Sequence, residues 1–517
     1  MKGKQQLIAL TSVILAGSVL LAACGGNEET NDVSNTTKPV EQEGPLPIIV
    51  FARQNAAEAV AKDNPLLKEL EKRTNTDLNI TWVPVNTLAE KTKITISSGD
   101  IPEMMYIENV FDSLFVQAAF DGAFWDLTPY IKDFPNLSAL PQTIWDNSKI
   151  QGKNYVVPRP RPLEGGGSMP LLRKDWLDKL GLPVPETIDE FYEAAKAFTE
   201  KDPDGNGKAD TYGIAGDVSP NTMGSYAWIE QAFTRSPSTT GFLLKDGELS
   251  PAVFDPGIKS ALEFMKKAYE EKVIPADFAV MKNSQARDAF MGNKAGMLGS
   301  SIKPQWLFTE ALRKIEPEGD IYPVPYITGP LGKYAQKDIG YFGSYAIPKK
   351  VPEEKMKKIL AVLDKGLTPE VGDLASYGLK DVHYKVLDGD DSYIMATEQA
   401  KTDNISPILN NLANLFSTYN KYSNAFLAGI PKDLYDRNKE VIDEREKVSV
   451  SNPSHGLISE TYMVIGPDLE KKIQDLKVQI IMNKEPLSAW DEFVDKLKTD
   501  PQLQKATAEM NEAYKNK

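Results

Sequence analysis

The sequence predicts an α/β protein built as two lobes. Its 517 residues exceed what one hydrophobic core fills, since cores stop growing at roughly 250–300 residues and longer chains divide. From residue 47 onward, short apolar runs alternate with helical patterns, the order expected of a parallel sheet covered by helices. No stretch of about 20–50 residues recurs, which removes solenoids and propellers. A content of 41% hydrophobic and 26% charged side chains is that of a folded globular chain.

The first elements follow from their punctuation. Ile48-Ile49-Val50-Phe51 is a buried strand. Asn64 and Pro65 open a helix, the first as cap and the second because proline tolerates the first turn, and Leu66, Leu67 and Leu70 give it an apolar face. Residues 78–85 form a second strand, 90–98 a helix and 103–107 a third strand. Further on, Thr187 and Glu190 are spaced as a capping box, with Ile188, Phe191, Tyr192, Ala195 and Phe198 following at helical spacing. Asp255-Pro256 starts another helix. Helices are also expected over 352–363, 467–481 and 486–498, and strands over 154–158, 296–299, 321–327 and 344–348.

The N-terminus carries a different signal. Lys2 and Lys4 precede an apolar run over 7–21 that ends in Leu21-Ala22-Ala23-Cys24-Gly25. A basic start, an apolar middle and small residues before a cleavage point mark a secretory signal, and the run is shorter than the roughly 20 residues a spanning helix needs. Cys24 is the sole cysteine, so disulfides within the chain and thiolate metal centres are excluded. Residues 25–44 hold only Val33 and Val40 as aliphatic groups and are expected to be a tether, with a reach on the order of 25 Å.

Charge narrows the partners. The formal net charge of −14 argues against nucleic acid, whose phosphates need basic surface. Catalytic signatures are missing: there is no G-x-S-x-G, no H-E-x-x-H, no G-x-G-x-x-G after a strand, and Gly205-Asn206-Gly207-Lys208 lacks the Ser/Thr and the strand of a phosphate loop. The chain is therefore not expected to be an enzyme.

One loop has a metal-ligand rhythm. Asp202, Asp204, Asn206 and Asp210 stand at positions 1, 3, 5 and 9, with Gly207 at 6 and the Lys208 carbonyl at 7, as in an EF-hand-type calcium loop. Gly213 replaces the bidentate glutamate at position 12, which predicts weak affinity and a shell completed by a group near Thr211 or by water. A solvated Asp/Asn/Gly turn without metal is the competing reading. Residues 158–167 place Arg159 and Arg161 between prolines and before three glycines, as a hinge or cleft-edge loop with guanidinium groups for a carboxylate or hydroxyls. Aromatic residues beside strand ends and glycines, among them Tyr106, Trp125, Trp228, Trp306, Tyr341, Phe342 and Tyr345, are candidate platforms for the C–H face of a sugar; core packing is the alternative for each.

The chain resembles the family 1 extracellular solute-binding lipoproteins of ABC importers, in the oligosaccharide-binding branch that includes alginate-binding proteins. The resemblance is carried by the lipobox ending at Cys24, Ser97-Ser98-Gly99-Asp100-Ile101-Pro102-Glu103, the segment from Arg173 through Leu182, the 202–213 loop, residues 290–298, 344–349 and 377–384. It implies a two-lobed periplasmic-binding-protein-like fold of type II, with hinge strands and a ligand cleft between the lobes. Residues 1–23 would be the signal peptide and 24–44 the tether with lipidated Cys24. Residues 45–165 would be mainly lobe 1, 166–340 mainly lobe 2, and 341–517 a hinge crossing with C-terminal helices on both lobes.

Function follows in the same conditional sense. The resemblance implies capture of an oligosaccharide by lobe closure and delivery to permease subunits by a monomer anchored to the outer face of the cell membrane. Transferred position by position, the cleft would be lined by Arg53, Gln54, Tyr106, Glu108, Ser300, Tyr341 and Phe342, with Trp228 and Trp306 as platforms and Arg159 and Arg161 at its edge. Alginate-binding relatives carry a calcium loop like that of Asp202, Asp204, Asn206, Lys208 and Asp210, so the resemblance implies a structural Ca²⁺; Thr211, where those relatives have an acidic residue, departs from the pattern and counts against it. The alternatives are an anchored sugar sensor or adhesion lipoprotein and, at greater distance, a glycoside hydrolase or lyase. Neutral and acidic sugars both stay open: the net charge disfavours polyanions at long range, while Arg159, Arg161 and Arg173 counter it locally.

Overall fold

The computed structural model describes residues 44–516; the signal segment, Cys24 and most of the tether lie outside the described residues. Two mixed sheets, each with its own core, make the two lobes. In the first, the strand order is Thr76–Pro84, Leu46–Gln54, Met104–Ile107, Tyr341–Ala346, Val156–Pro160. The first three are parallel, running in register from Leu46 opposite Thr76 to Gln54 opposite Pro84. Tyr341–Ala346 returns after the whole second sheet has been built and lies antiparallel to both neighbours. The second sheet runs Ile321–Pro323, Pro170–Arg173, Ala295–Gly299, Tyr212–Ala215.

The cores divide accordingly. The first gathers apolar side chains from Ile48 to Val157 and again from Tyr341 to Phe416. The second gathers Met169 to Ala335 and takes Ile473, Ile480, Ile481 and Trp490 from the C-terminal helices. The chain passes between cores near residues 160–168 and 336–341. In the first passage a Cβ on Gly166 would stand 1.9 Å from Asp338 Oδ2 and one on Gly167 2.5 Å from Gln336 Oε1, so these glycines permit close approach of two crossing segments.

Local signals set most boundaries. Asn64 Oδ1 accepts from Leu66 and Leu67 N–H and caps the helix Pro65–Thr74, while Thr187 and Glu190 close the capping box of Ile188–Glu200. Two expectations need correction. The segment 321–327 is two short strands in different sheets, Ile321–Pro323 and Ile327–Gly329. The helix expected from Pro467 begins at Glu460, because Ser459 caps it through Tyr462 N–H and Pro467 is carried inside.

Candidate functional site

A cluster of polar side chains forms where the parallel strands of the first sheet end. Arg53 is the penultimate residue of Leu46–Gln54, and Glu108 follows Met104–Ile107, the adjacent parallel strand. Both side chains thus emerge at the carboxyl edge of the sheet, where open α/β sheets bind ligands, and Arg53 Nη1 donates to Glu108 Oε1 at 2.6 Å. Arg53 Nε donates to Asn55 Oδ1 at 2.8 Å. The loop is held from the side by Asn411, whose Oδ1 accepts from Asn55 N and Ala56 N, and by Asn414, whose amide donates to Arg53 O. Gln54 is buried and donates to Ala56 O and Ala57 O, so it shapes the loop.

Phe342 supplies an exposed ring. Along Tyr341–Ala346 every residue is buried except Phe342, 43% exposed. Pairing with Val156–Pro160 shifts register between Tyr341 and Ser344, and Gly343 takes φ of 71°; a Cβ there would meet the Tyr106 hydroxyl at 2.0 Å. This bulge re-aims one side chain out of an otherwise buried strand. The guanidinium groups of Arg53 and Arg159 lie 4.7 and 5.6 Å from the ring centroid.

Arg53 and Arg159 flank this ring. Arg159 is buried and donates from Nε to Phe342 O and from Nη1 to Ala413 O, at 3.0 and 3.1 Å; desolvation lowers its pKa. Arg161 and Lys303 are both exposed. Desolvation, followed by the charge of Arg159, nevertheless brings Arg161 down to about 10. Lys303 is lowered by desolvation and then by Arg161. Ile302 N–H donates to Gly165 O at 2.8 Å, which fastens the loop after Ala295–Gly299 of the second sheet to the first crossing segment.

The expected site residues thus separate. Arg53, Glu108, Phe342, Arg159 and Arg161 come together, with Tyr106 wholly buried beneath Gly343. Ser300 is buried, bonded through its N–H to Met169 O, and begins the loop that carries Lys303 and leads into the helix Gln305–Leu312, where Trp306 is half-buried. Of the seven candidate platforms, Tyr106, Trp125, Trp228, Tyr341 and Tyr345 are buried in the cores and need correction. Trp228 is 0% exposed and packs on Phe191 in the second core. Tyr341 is buried, with its hydroxyl donating to Asn147 O. Arg173, expected to offset local charge, is fully buried, donates to both carboxylate oxygens of Asp175 and stacks on Trp176. Lys303, Asn411 and Asn414 escaped the sequence reading; the position of Lys303 after a strand end was the available signal.

The 202–210 loop keeps its oxygens inward. Asp202 accepts from Asn206 N and Gly207 N, and Asn206 Nδ2 donates to Asp204 and Asp210. Asp204 is half-buried, and desolvation followed by its contact with Asp202 raises its pKa, an environment that favours a cation. Lys294 supplies one, with Nζ 2.8 Å from Asp210 Oδ2 and 3.5 Å from Asp204 Oδ2. Thr211 Oγ donates to Phe198 O and so turns away from the loop. Among the described residues no group of three acidic, histidine or cysteine side chains is gathered for a metal. The donors suit a hard cation, in exchange for Lys294.

Comparison with known proteins adds the lineage. A family model described as bacterial extracellular solute-binding protein matches residues 54–372. The lipoprotein LipO of Bacillus subtilis (strain 168) is 32% identical over 92% of this chain and 93% of its own. The polygalacturonan/rhamnogalacturonan-binding protein YtcQ of the same strain is 30% identical over 99% of both. Among solved structures, an HMO binding ABC-transporter associated solute-binding protein from Bifidobacterium longum infantis superposes with a TM-score of 0.71 over 92% of this chain and 99% of that one, at 18% identity. The alginate-binding protein AlgQ2, solved without calcium ion, gives 0.63 over 92% and 98%, at 19% identity. With its two lobes and a polar, aromatic cluster at the sheet edge, the chain belongs to the bacterial extracellular solute-binding proteins.

Proposed function

We propose that the solute is an oligosaccharide, held between the lobes around Phe342 and handed to the permease of an ABC importer. The observation that carries this reading is the bulge that exposes Phe342 amid Arg53, Glu108 and Arg159: an apolar face edged by fixed donors and an acceptor is what a sugar ring requires. Lobe closure on the ligand would give the permease a shape to recognise. On this reading the protein binds without catalysis, as a monomer. Residues 45–165 are mainly lobe 1, 166–340 mainly lobe 2, and 341–517 cross between them; the division of the cores supports this. Cys24 would carry the lipid that holds the protein to the outer face of the membrane. The names of YtcQ and of the HMO-binding protein support a sugar ligand.

Two measurements test these assignments. Phe342→Ala should weaken binding of the cognate oligosaccharide about 10- to 100-fold, the equivalent of losing roughly 1.5–3 kcal/mol of buried aromatic contact, with the unfolding temperature of the free protein unchanged. Titration calorimetry reads the first and thermal unfolding the second; equal affinity for both proteins would refute the platform. We further infer that Ca²⁺ takes the place of Lys294 among Asp202, Asp204, Asn206, Asp210 and the Lys208 carbonyl. Calcium at 100 times its dissociation constant should then add about 2.7 kcal/mol of stability, removable by EDTA and lost in Asp204→Asn. An unfolding temperature indifferent to calcium would refute this.

A further inference from the structure

One β-hairpin is rooted in the first lobe and rests its far end on the second. Its strands, Tyr384–Leu387 and Asp390–Ala396, form a two-stranded antiparallel sheet of their own. At the root, Thr397 N–H donates to His383 O at 3.0 Å and Asp381 N–H to Tyr384 O at 2.7 Å. His383 is buried, accepts at Nδ1 from Leu379 N–H at 3.0 Å and meets Asp403 Oδ2 with Nε2 at 3.2 Å. Leu374 and Ala375 before the hairpin, and Ala400 and Ile405 after it, lie in the first core. The root is therefore fixed to the first lobe on both sides.

The far end packs on the helix Lys432–Val448, which is fastened to the second lobe. Arg437 of that helix donates to both carboxylate oxygens of Asp320 and to Ile321 O at the second sheet, and Asn438 donates to Gln305 Oε1. From the hairpin, Tyr393 is buried and stacks on Tyr435, with ring centroids 4.9 Å apart and planes 16° from parallel. Its hydroxyl donates to Ile430 O at 3.0 Å. Asp390 Oδ2 lies 2.9 Å from Lys439 Nζ. Leu387 and Tyr393 thereby share one apolar cluster with Ile302 and Trp306, which follow the second-sheet strand Ala295–Gly299.

We propose that the 384–396 hairpin is a clasp between the lobes: the Tyr393–Tyr435 stack, the bond to Ile430 O and the Asp390–Lys439 pair join them reversibly, and the lobes open only when these contacts part. The covalent crossings near residues 160–168 and 336–341 let one lobe pivot on the other without breaking any bond. The hairpin has no chain connection to the second lobe at its far end, so rotation of the lobes must shear or release it. One aromatic stack, one hydrogen bond and one partly exposed ion pair are each modest contacts. Together they match the small free-energy gaps that separate two populated conformations, where core packing would weld the lobes into one body. This goes beyond the reading above and is independent of the chemistry of the ligand.

Distances between the lobes test the clasp without any ligand. Spin labels are placed through Lys91→Cys, on the helix Leu88–Ser98 of the first lobe, and Lys314→Cys, after the helix Gln305–Leu312 of the second; both lysines are exposed. The full chain carries Cys24→Ser, which removes its sole native thiol. In double electron–electron resonance the otherwise unaltered protein should give one dominant distance. Tyr393→Ala and Asp390→Lys should each raise a second population about 10-fold, to a resolved second distance. Asp390→Lys combined with Lys439→Asp restores opposite charges and should return the single distance. Unfolding temperatures confirm that each variant is folded. Distributions unchanged in both single variants, or a charge swap that fails to reverse what Asp390→Lys does, would overturn the clasp. Neither result touches the oligosaccharide reading, which the Phe342→Ala titration decides.

Discussion

Replacing Lys477 by alanine is expected to cost about 3–5 kcal/mol of stability. Lys477 Nζ lies 2.6 Å from Glu230 Oε1, with both side chains almost fully buried, and among the described residues no further hydrogen-bond partner reaches either group. The pair joins the helix Ala227–Thr234 to the helix Glu460–Ile481 and so fastens the C-terminal helices to the second core. Removing one partner strands a charge in apolar surroundings. Replacing both, as Glu230→Leu with Lys477→Met, should return stability to within roughly 1–2 kcal/mol of wild type, since two desolvation costs vanish together. Urea unfolding at neutral pH measures each variant; a single variant within about 1 kcal/mol of wild type would show that the pair does not hold the helix.

The second large effect concerns pH and the crossing segments. Glu164 is buried, accepts from Ser449 Oγ at 2.9 Å and has Lys337 Nζ at 3.8 Å; desolvation raises its pKa to about 7. Asp338 lies against Gly166 and Gln336, and desolvation also raises it to about 7. Arg445, buried and donating to Val324 O, attracts both, while Glu446 opposes Glu164 and the Tyr334 ring stands near Asp338. The folded state thus holds protons that the unfolded chain has already released. Stability is greatest below the ordinary carboxyl pKa and declines as pH rises from about 4 through about 7. Each group contributes on the order of 3 kcal/mol across that window. The unfolding temperature should therefore fall between pH 5 and pH 8, and Glu164→Gln with Asp338→Asn should flatten the decline. An unchanged slope in the double variant would locate the titration elsewhere.

The run Gly165-Gly166-Gly167 illustrates how far sequence reading reached. Beside Pro158, Pro160 and Pro162 it predicted a hinge or cleft edge, and the segment does pass from one core to the other. The reason for glycine was not visible in the run: Asp338 and Gln336, some 170 residues away in sequence, fill the space where side chains would stand. Arginines show the same division. Arg159, Arg161 and Arg173 were equivalent as cations next to strands. In the fold, Arg173 has Asp175 and Trp176 as partners, Arg159 has two carbonyls and the Phe342 ring, and Arg161 makes no ion pair among the described residues.

Properties carried by near neighbours were therefore readable from residues alone: the α/β alternation, the caps at Asn64 and Thr187, and the spaced oxygens from Asp202 to Asp210. Their physics acts within a turn of helix or a few residues of loop. Long-range placement was decided by folding. The register shift against Val156–Pro160 exposes Phe342 while the neighbouring Tyr341 enters the core, and Trp228 is buried although it looked as suitable a platform. The bond from Ile302 to Gly165 fastens the loop after Ala295–Gly299 to the first crossing segment. Exposure, ion pairing and desolvation depend on which distant segments pack together, and that packing sets two guanidinium groups against one exposed ring.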